Sequence, residues 1–254
     1  MFKFFRNIRK LQLLNGNSLK YLKYAIGEIA LIMLGILLAF QVNTWNESRK
    51  ANEKERNLFK NLIIDFEFRR NELKEFNIAR KKAIASILRL NNIIAGNEEI
   101  PHPDTLDGSL ASLVNGLKFN ENFEMLDVVF NTGLINDIKS EALKRELIEW
   151  PQKVEEMLEE QRMINKLIDT GILPYLSNYV SIRDIYENFD FRKYNLPKGE
   201  PVSLRKDYNH ILSDPIFENY LARLEMLIRV TAIDSDILIS SAERIIVLLK
   251  ENAQ

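Results

Sequence analysis

The longest apolar stretch of the chain lies near its N-terminus. No charged side chain occurs from Ile29 to Asn46. Between Ala25 and Thr44 the polar exceptions are Glu28, Gln41, Asn43 and Thr44. A helix needs about 20 mostly apolar residues to cross the roughly 30 Å hydrocarbon core of a bilayer. The pattern therefore predicts one transmembrane helix over residues 21–45.

Two other interpretations of this stretch are weaker. A cleaved signal peptide would end in small residues of the Ala-x-Ala type, but the run ends in Ala39-Phe40-Gln41. The other alternative is a buried core helix of a soluble domain, but residues 29–40 are apolar on every face and interfacial aromatic residues flank them. Aromatic residues stand where interfacial anchors of a span are expected, at Tyr21, Tyr24 and Trp45.

Basic residues on either side of the span indicate its orientation. Residues 1–27 carry six Lys and Arg and no acid, whereas residues 46–65 carry five Lys and Arg and four acids. The positive-inside rule then places the N-terminus in the cytoplasm by a small margin. Residues 1–20 mix aromatic and basic side chains, which favours a cytoplasmic amphipathic helix from Phe2 to Leu14 on the anionic leaflet. A floppy basic tail is the alternative.

The remaining residues, 46–254, predict an all-α domain. Apolar residues recur every three, four or seven positions over 47–94, as on one face of a long helix that continues out of the membrane. Asp214 and Pro215 are typical of an N-cap and first turn, and predict a second long helix over 214–250. Shorter helices are predicted over 121–131, 140–150 and 151–169, with a loop at 96–108 and short helices around a polar loop over 171–208. The two long helices would pair as an antiparallel bundle.

Composition limits the chemistry of this domain. Acidic residues outnumber basic ones by six beyond residue 45, which does not favour a nucleic-acid surface. The chain has no cysteine, so it forms no disulfide, and this agrees with an oxidising envelope compartment. Its two histidines, His102 and His210, belong to no metal-binding motif, and no phosphate-binding loop or nucleophile elbow occurs. We expect no cofactor, no metal and no catalytic residue.

The N-terminal 50 residues also resemble a known family. The segments Tyr24–Ile29, Gly35–Asn43 and Trp45–Glu47 are similar to the signature of an uncharacterised family of single-span proteins from Bacteroidota. The basic aromatic start of the chain and a helix, Gly turn and helix around Gly133 also match, whereas Trp150-Pro151 departs from the pattern. The resemblance implies an inner-membrane protein with a helical periplasmic region, and it implies no reaction.

Glu28 calls for an explanation, because ionisable groups are rare at membrane depth. At about 100° per residue, Gly35, Ala39 and Asn46 lie on its face of the helix. Gly35 and Ala39 form a small-x-x-x-small pair that lets two helices approach closely. One hypothesis is a span that self-associates or docks on another membrane protein through this face. Alternatively, the Glu28 carboxylate reaches the headgroups near Lys23 or, least favoured, belongs to a proton or ion relay.

Acidic and aromatic clusters elsewhere have mainly structural interpretations. Asp104 to Gly108 lacks calcium-loop ligands and predicts a turn. Asp234 or Asp236 would face a base of the first long helix in a salt bridge, and the aromatic residues between 175 and 194 would pack in the core. We therefore expect a non-catalytic envelope protein that binds, scaffolds or senses. A membrane-tethered hydrolase that uses acidic side chains is the alternative.

Overall fold

A computed structural model of the chain describes residues 18–116, 119, 123–189 and 206–252, and every regular element within these ranges is helical. The elements are α1 (Ser18–Ile94), α2 (Pro103–Val114), α3 (Glu124–Asn131), a 3-10 turn (Leu134–Asn136), α4 (Glu141–Leu167), a π-helical turn (Ile168–Ile172), α5 (Leu173–Leu176), α6 (Ile182–Tyr186), α7 (Tyr208–Ser213) and α8 (Pro215–Asn252). The predicted all-α class is confirmed. The predicted helix at residues 2–14 lies outside the described residues.

The chain forms two compact units, Met1–Leu58 and Phe59–Gln254, and their boundary falls within α1. The described part of the first unit is helical throughout. The second unit, the helical domain, contains the rest of α1 and all other elements. The predicted limits of the cytoplasmic segment and the span, at residues 20 and 45, stay predictions.

Within the helical domain, α1 buries one face. Leu62, Phe66, Leu73 and Ile87 are at most 1% exposed, and their spacing of four, seven and fourteen residues keeps them on one side. The helix ends where Gly96 adopts a φ of 74°, a left-handed conformation that side-chain-bearing residues avoid. The predicted loop at 96–108 is therefore correct only at its start, because α2 already begins at Pro103.

Two local features explain the early start of α2. Pro103 occupies the first helical position, where its missing N–H is not needed. The His102 side chain caps the helix by accepting a hydrogen bond from the Asp104 backbone N–H at 3.4 Å. The segment Asp104 to Gly108, predicted as a turn, is thus helical.

The helix α4 corrects another predicted boundary. It runs without a break through Pro151, where separate helices over 140–150 and 151–169 were expected. Proline inside a helix costs about 3 kcal/mol. The neighbouring Trp150 is fully buried and meets the rings of Phe66 and Phe123 edge-on, at centroid distances of 5.0 and 5.9 Å. Burial of this large side chain stabilises the continuous helix against the proline penalty.

The start of α8 follows the sequence prediction. Asp214 accepts a hydrogen bond from the Ile216 N–H at 2.8 Å, and Pro215 is the first helical residue. Four polar contacts join α8 to α1, and their residue numbers fall on α8 as they rise on α1. They are Glu67–Lys250, Lys74–Glu243, Asn77–Asp236 and Arg80–Thr231.

The region 171–189 and 206–213 folds as short helices, as predicted, and residues 190–205 lie outside the described part. Gly171 lies in the π-helical turn after α4, where a Cβ atom would come within 3.0 Å of the Tyr220 ring. Tyr175 stacks on Phe217 at a centroid distance of 6.0 Å with the rings 9° apart. Tyr175, Tyr179 and Phe189 therefore pack against the core, as predicted, whereas Tyr186 is 39% exposed.

Candidate functional site

The apolar segment of α1 is the most exposed hydrophobic surface among the described residues. Its most apolar window has a mean hydropathy of 2.2, and none of that window is buried. Leu31 and Phe40, for example, are 68% and 67% exposed. By length and composition this segment could cross a membrane. The sequence identified it from its uncharged run alone.

The four predicted interface residues all lie on this part of α1. Glu28 and Asn46 are half-buried, whereas Gly35 and Ala39 are exposed. A Cβ atom added at Gly35 would meet no other atom within 4 Å. The backbone at Gly35 is therefore open to close approach by another helix.

The polar groups at the C-terminal end of the apolar segment are satisfied locally. The Thr44 hydroxyl donates to the Phe40 carbonyl at 3.0 Å, and the Asn43 amide donates to Glu47 at 2.9 Å. Trp45 is 64% exposed, and the Arg49 guanidinium lies 5.8 Å from its ring centroid. An exposed tryptophan beside a cation suits a membrane interface. Tyr21 and Tyr24 belong to α1, but their side chains lie outside the described part.

A buried acidic cluster joins α2, α6 and the start of α7. Lys206 Nζ lies 2.9 Å from Asp107 Oδ2 and 2.8 Å from Asp184 Oδ2, and the two carboxylates are only 4% and 7% exposed. The Tyr208 hydroxyl donates to Asp107 Oδ1. Burial alone would lower the pKa of Lys206, but its hydrogen bonds to Asp184 and Asp107 outweigh burial and raise that pKa. One ammonium group thus holds two buried carboxylates.

This cluster was not predicted from the sequence. Asp107 and Asp184 are 77 positions apart, and Lys206 follows Asp184 by 22 positions. No spacing rule connects residues on different short helices. Asp107 was noted only as part of a turn. The arrangement fits a structural lock, because each carboxylate already accepts from a cation.

A second buried acid, Glu146, links α4 to α8. It is 4% exposed and accepts from the Ser241 hydroxyl at 2.8 Å and from Arg244 Nη1 at 2.8 Å. Lys153 Nζ lies 3.4 Å from the same carboxylate. Burial alone would raise the pKa of Glu146, but Ser241 and the two cations outweigh burial and hold its pKa below the ordinary value.

We expect Glu146→Gln to lower the free energy of unfolding by about 2 kcal/mol at pH 7, because charge-assisted hydrogen bonds are lost. Because the pKa of Glu146 is lower in the folded protein than in the unfolded chain, its carboxylate stabilises the fold above the unfolded-state pKa. This stabilisation is lost as pH falls through the folded-state pKa. The stability difference between the two proteins should therefore shrink as pH falls below the ordinary glutamate pKa of about 4.3. Urea unfolding from pH 3 to 8 measures this difference. The matched control is Glu149→Gln, which removes another partner of Lys153 but one that is 47% exposed, and should change stability little.

Two further predictions concern acids and metals. Asp236 accepts from the Asn77 amide at 2.7 Å, and no salt bridge within 4.0 Å joins Asp234 or Asp236 to α1 in the described part, so the predicted ion pair does not form there. Among the described residues no group of three His, Asp or Glu side chains could hold a metal ion. His210, one of the two histidines of the chain, instead stacks on the Tyr179 ring at a centroid distance of 4.3 Å.

Comparison of the chain with family models, with curated proteins and with solved structures finds no match.

Proposed function

We propose that this chain is a membrane-anchored, non-catalytic protein of the bacterial inner membrane, with its N-terminus in the cytoplasm and a helical domain in the periplasm that binds or scaffolds. The observation that carries the proposal is the wholly exposed apolar segment of α1. In water, such a surface would promote aggregation, whereas in a bilayer its apolar side chains contact the lipid tails. The resemblance to single-span proteins from Bacteroidota supports the same location.

The helical domain is proposed to be an antiparallel bundle built on α1 and α8. The reversed order of the four contacts between these helices supports this arrangement. The Glu146 cluster similarly ties α4 to α8. Such a bundle, with its long helices joined at several levels, offers a rigid surface for a partner.

A binding role is favoured over hydrolysis by the state of the buried carboxylates. Asp107 and Asp184 share Lys206, and Glu146 is held by Arg244 and Ser241. A general acid or base needs a proton that exchanges with substrate in a cleft. These three buried acids are instead held by cations or hydroxyl donors, as expected for structural links.

We further propose that the span contacts a second helix through the face of Glu28, Gly35, Ala39 and Asn46. The open space at Gly35 supports this, since no part of the chain described here fills it. Small residues at such positions let two backbones approach, and a polar side chain in the interface gains a hydrogen-bond partner. The second helix would come from another copy or from a different membrane protein.

Gly35→Leu is expected to weaken self-association of the span by about fivefold, or about 1 kcal/mol, because the added side chain separates the helices. The measurement is a membrane reporter assay or a resonance-energy-transfer titration in lipid vesicles. A Cβ atom added at Gly35 meets no neighbouring side chain of its own chain within 4 Å, so an effect on association is expected to arise between chains. Gly27→Leu, also in open space but about 80° around the helix, and Leu37→Ala, on another face, should leave association unchanged. Equal changes in self-association for the three variants would contradict the proposal that the span associates through this face.

Cross-linking in native membranes tests the binding role. The chain contains no cysteine, so a single Ala39→Cys substitution gives an unambiguous disulfide probe, with Leu37→Cys as control. Dimers formed through residue 39 but not residue 37 would support a homo-oligomer. A single dominant foreign protein, identified by mass spectrometry after chemical cross-linking, would support a heterologous partner. The absence of both products would contradict the proposed function.

A further inference from the structure

Arg80 of α1 is an almost fully buried cation within the helical domain. It is 2% exposed, and its Nε donates to the Thr231 hydroxyl oxygen on α8 at 2.9 Å. Its guanidinium carbon lies 3.1 Å from the centroid of the Phe76 ring. Burial lowers the pKa of Arg80 to about 9, with the charge of Asp234 acting in the opposite direction, so the group remains charged at neutral pH.

The positive charge of Arg80 has no close counterion in the described part of the chain. No carboxylate oxygen there lies within 4.0 Å of its nitrogens, and Asp234 acts on it only at longer range. The Nη1 atom is buried and has no hydrogen-bond partner among the residues that the structure describes. Buried charges in proteins are normally paired, because an uncompensated one costs several kcal/mol. A missing partner for Nη1 is therefore expected beside it.

A small cavity adjoins Arg80 and has room for such a partner. Its volume is about 20 Å³, which exceeds the roughly 10–15 Å³ that one water-sized particle needs. Its wall includes Ala83 of α1, Ser112 and Asn115 at the end of α2, and Gln161 of α4. Ser112 is half-buried and Asn115 is exposed, so this polar side of the cavity lies towards the surface.

We propose that this cavity binds one monatomic anion of chloride size, hydrogen-bonded to Nη1 of Arg80. The anion would neutralise the buried guanidinium and give Nη1 an acceptor. Size excludes polyatomic organic anions, since the cavity accommodates about one atom. The site lies among α1, α2, α4 and α8 and does not depend on the proposed role of the span.

The test is urea unfolding of the full-length protein in detergent micelles, in sodium chloride, sodium bromide and sodium gluconate at equal ionic strength. An anion bound only by the folded protein lowers the unfolding constant by a factor of one plus its concentration over Kd. At a chloride concentration of about ten times Kd, we expect an unfolding constant about tenfold lower than in gluconate. Bromide should act like chloride, whereas gluconate should not.

Two variants separate the site from general salt effects. Ala83→Val fills the cavity and keeps Arg80, so its stability should no longer distinguish chloride from gluconate. Arg80→Gln removes the cation and should lose the same distinction; if it fails to fold, Ala83→Val decides. Arg223→Gln changes an exposed arginine elsewhere on α8 and should respond as the original protein does. Equal unfolding constants in chloride and gluconate, or an unchanged chloride effect in Ala83→Val, would overturn the proposal and leave a buried water in the cavity.

Discussion

Replacing Lys206 with Met is expected to lower the free energy of unfolding by about 3–5 kcal/mol, which is the usual effect of removing one partner of a buried ion pair. The substitution keeps most of the apolar stem but removes the ammonium group that lies within 2.9 Å of both Asp107 and Asp184. Both carboxylates are at least nine-tenths buried, so water cannot replace the lost partner. Urea unfolding of the full-length protein in detergent, followed by circular dichroism, measures the change.

Lys74→Met is the matched control for this prediction. Lys74 Nζ lies 2.9 Å from Glu243, the same distance as in the Lys206–Asp107 pair, but both its side chain and that of Glu243 are 49% exposed. Exposed pairs contribute about 0–1 kcal/mol, because water and salt screen them. Similar losses in the two variants would contradict the view that Lys206 locks α2 and α6 to the start of α7.

Trp150→Ala is expected to lower the free energy of unfolding by about 4 kcal/mol, because it removes a fully buried indole and leaves a cavity. The edge-on contacts with Phe66 and Phe123 would also be lost. Pro151 would then weaken α4 without the packing that offsets it. Urea unfolding, with helix content followed by circular dichroism, measures both effects.

Trp45→Ala provides the control with the same substitution in a different environment. Trp45 is 64% exposed, and its only described ring contact is with Arg49. It should leave the unfolding of the helical domain unchanged while weakening the proposed interfacial anchor. A loss of stability equal to that of Trp150→Ala would contradict the view that burial of Trp150 stabilises α4.

Most of the helices could be predicted from local patterns in the sequence. The periodic apolar positions of α1, the cap at Asp214 and the uncharged run at residues 29–46 each reflect interactions between near neighbours along the chain. Helix boundaries were wrong where tertiary packing or a side-chain cap decided them, as at Pro151 and at Pro103. The helix through Pro151 depends on contacts of Trp150 with residues that are remote in sequence, and the start at Pro103 depends on a cap by the His102 side chain that was not predicted.

The buried polar sites were harder to predict for the same reason. Lys206 meets Asp107 across 99 positions, and Arg80 meets Thr231 across 151. The sequence predicted only that an α8 aspartate would face a base of the first long helix, and did not distinguish Arg80 from the other bases. Its close partners in the described part of the chain are instead a hydroxyl and a phenyl ring, and Asp234 acts on it only at longer range. No periodic pattern distinguishes a charged residue that is buried from one that is solvated.

Single-cysteine labelling tests the proposed membrane anchoring most directly. The chain has no cysteine, so Asn17→Cys and Gln152→Cys report separately on the two sides of the apolar segment. In spheroplasts, a membrane-impermeant maleimide should label residue 152 only, and detergent permeabilisation should expose residue 17 as well. Both proteins should stay in the membrane pellet after alkaline carbonate washing. Labelling of both positions in intact spheroplasts, or release of the protein by carbonate, would contradict a single span with a periplasmic helical domain.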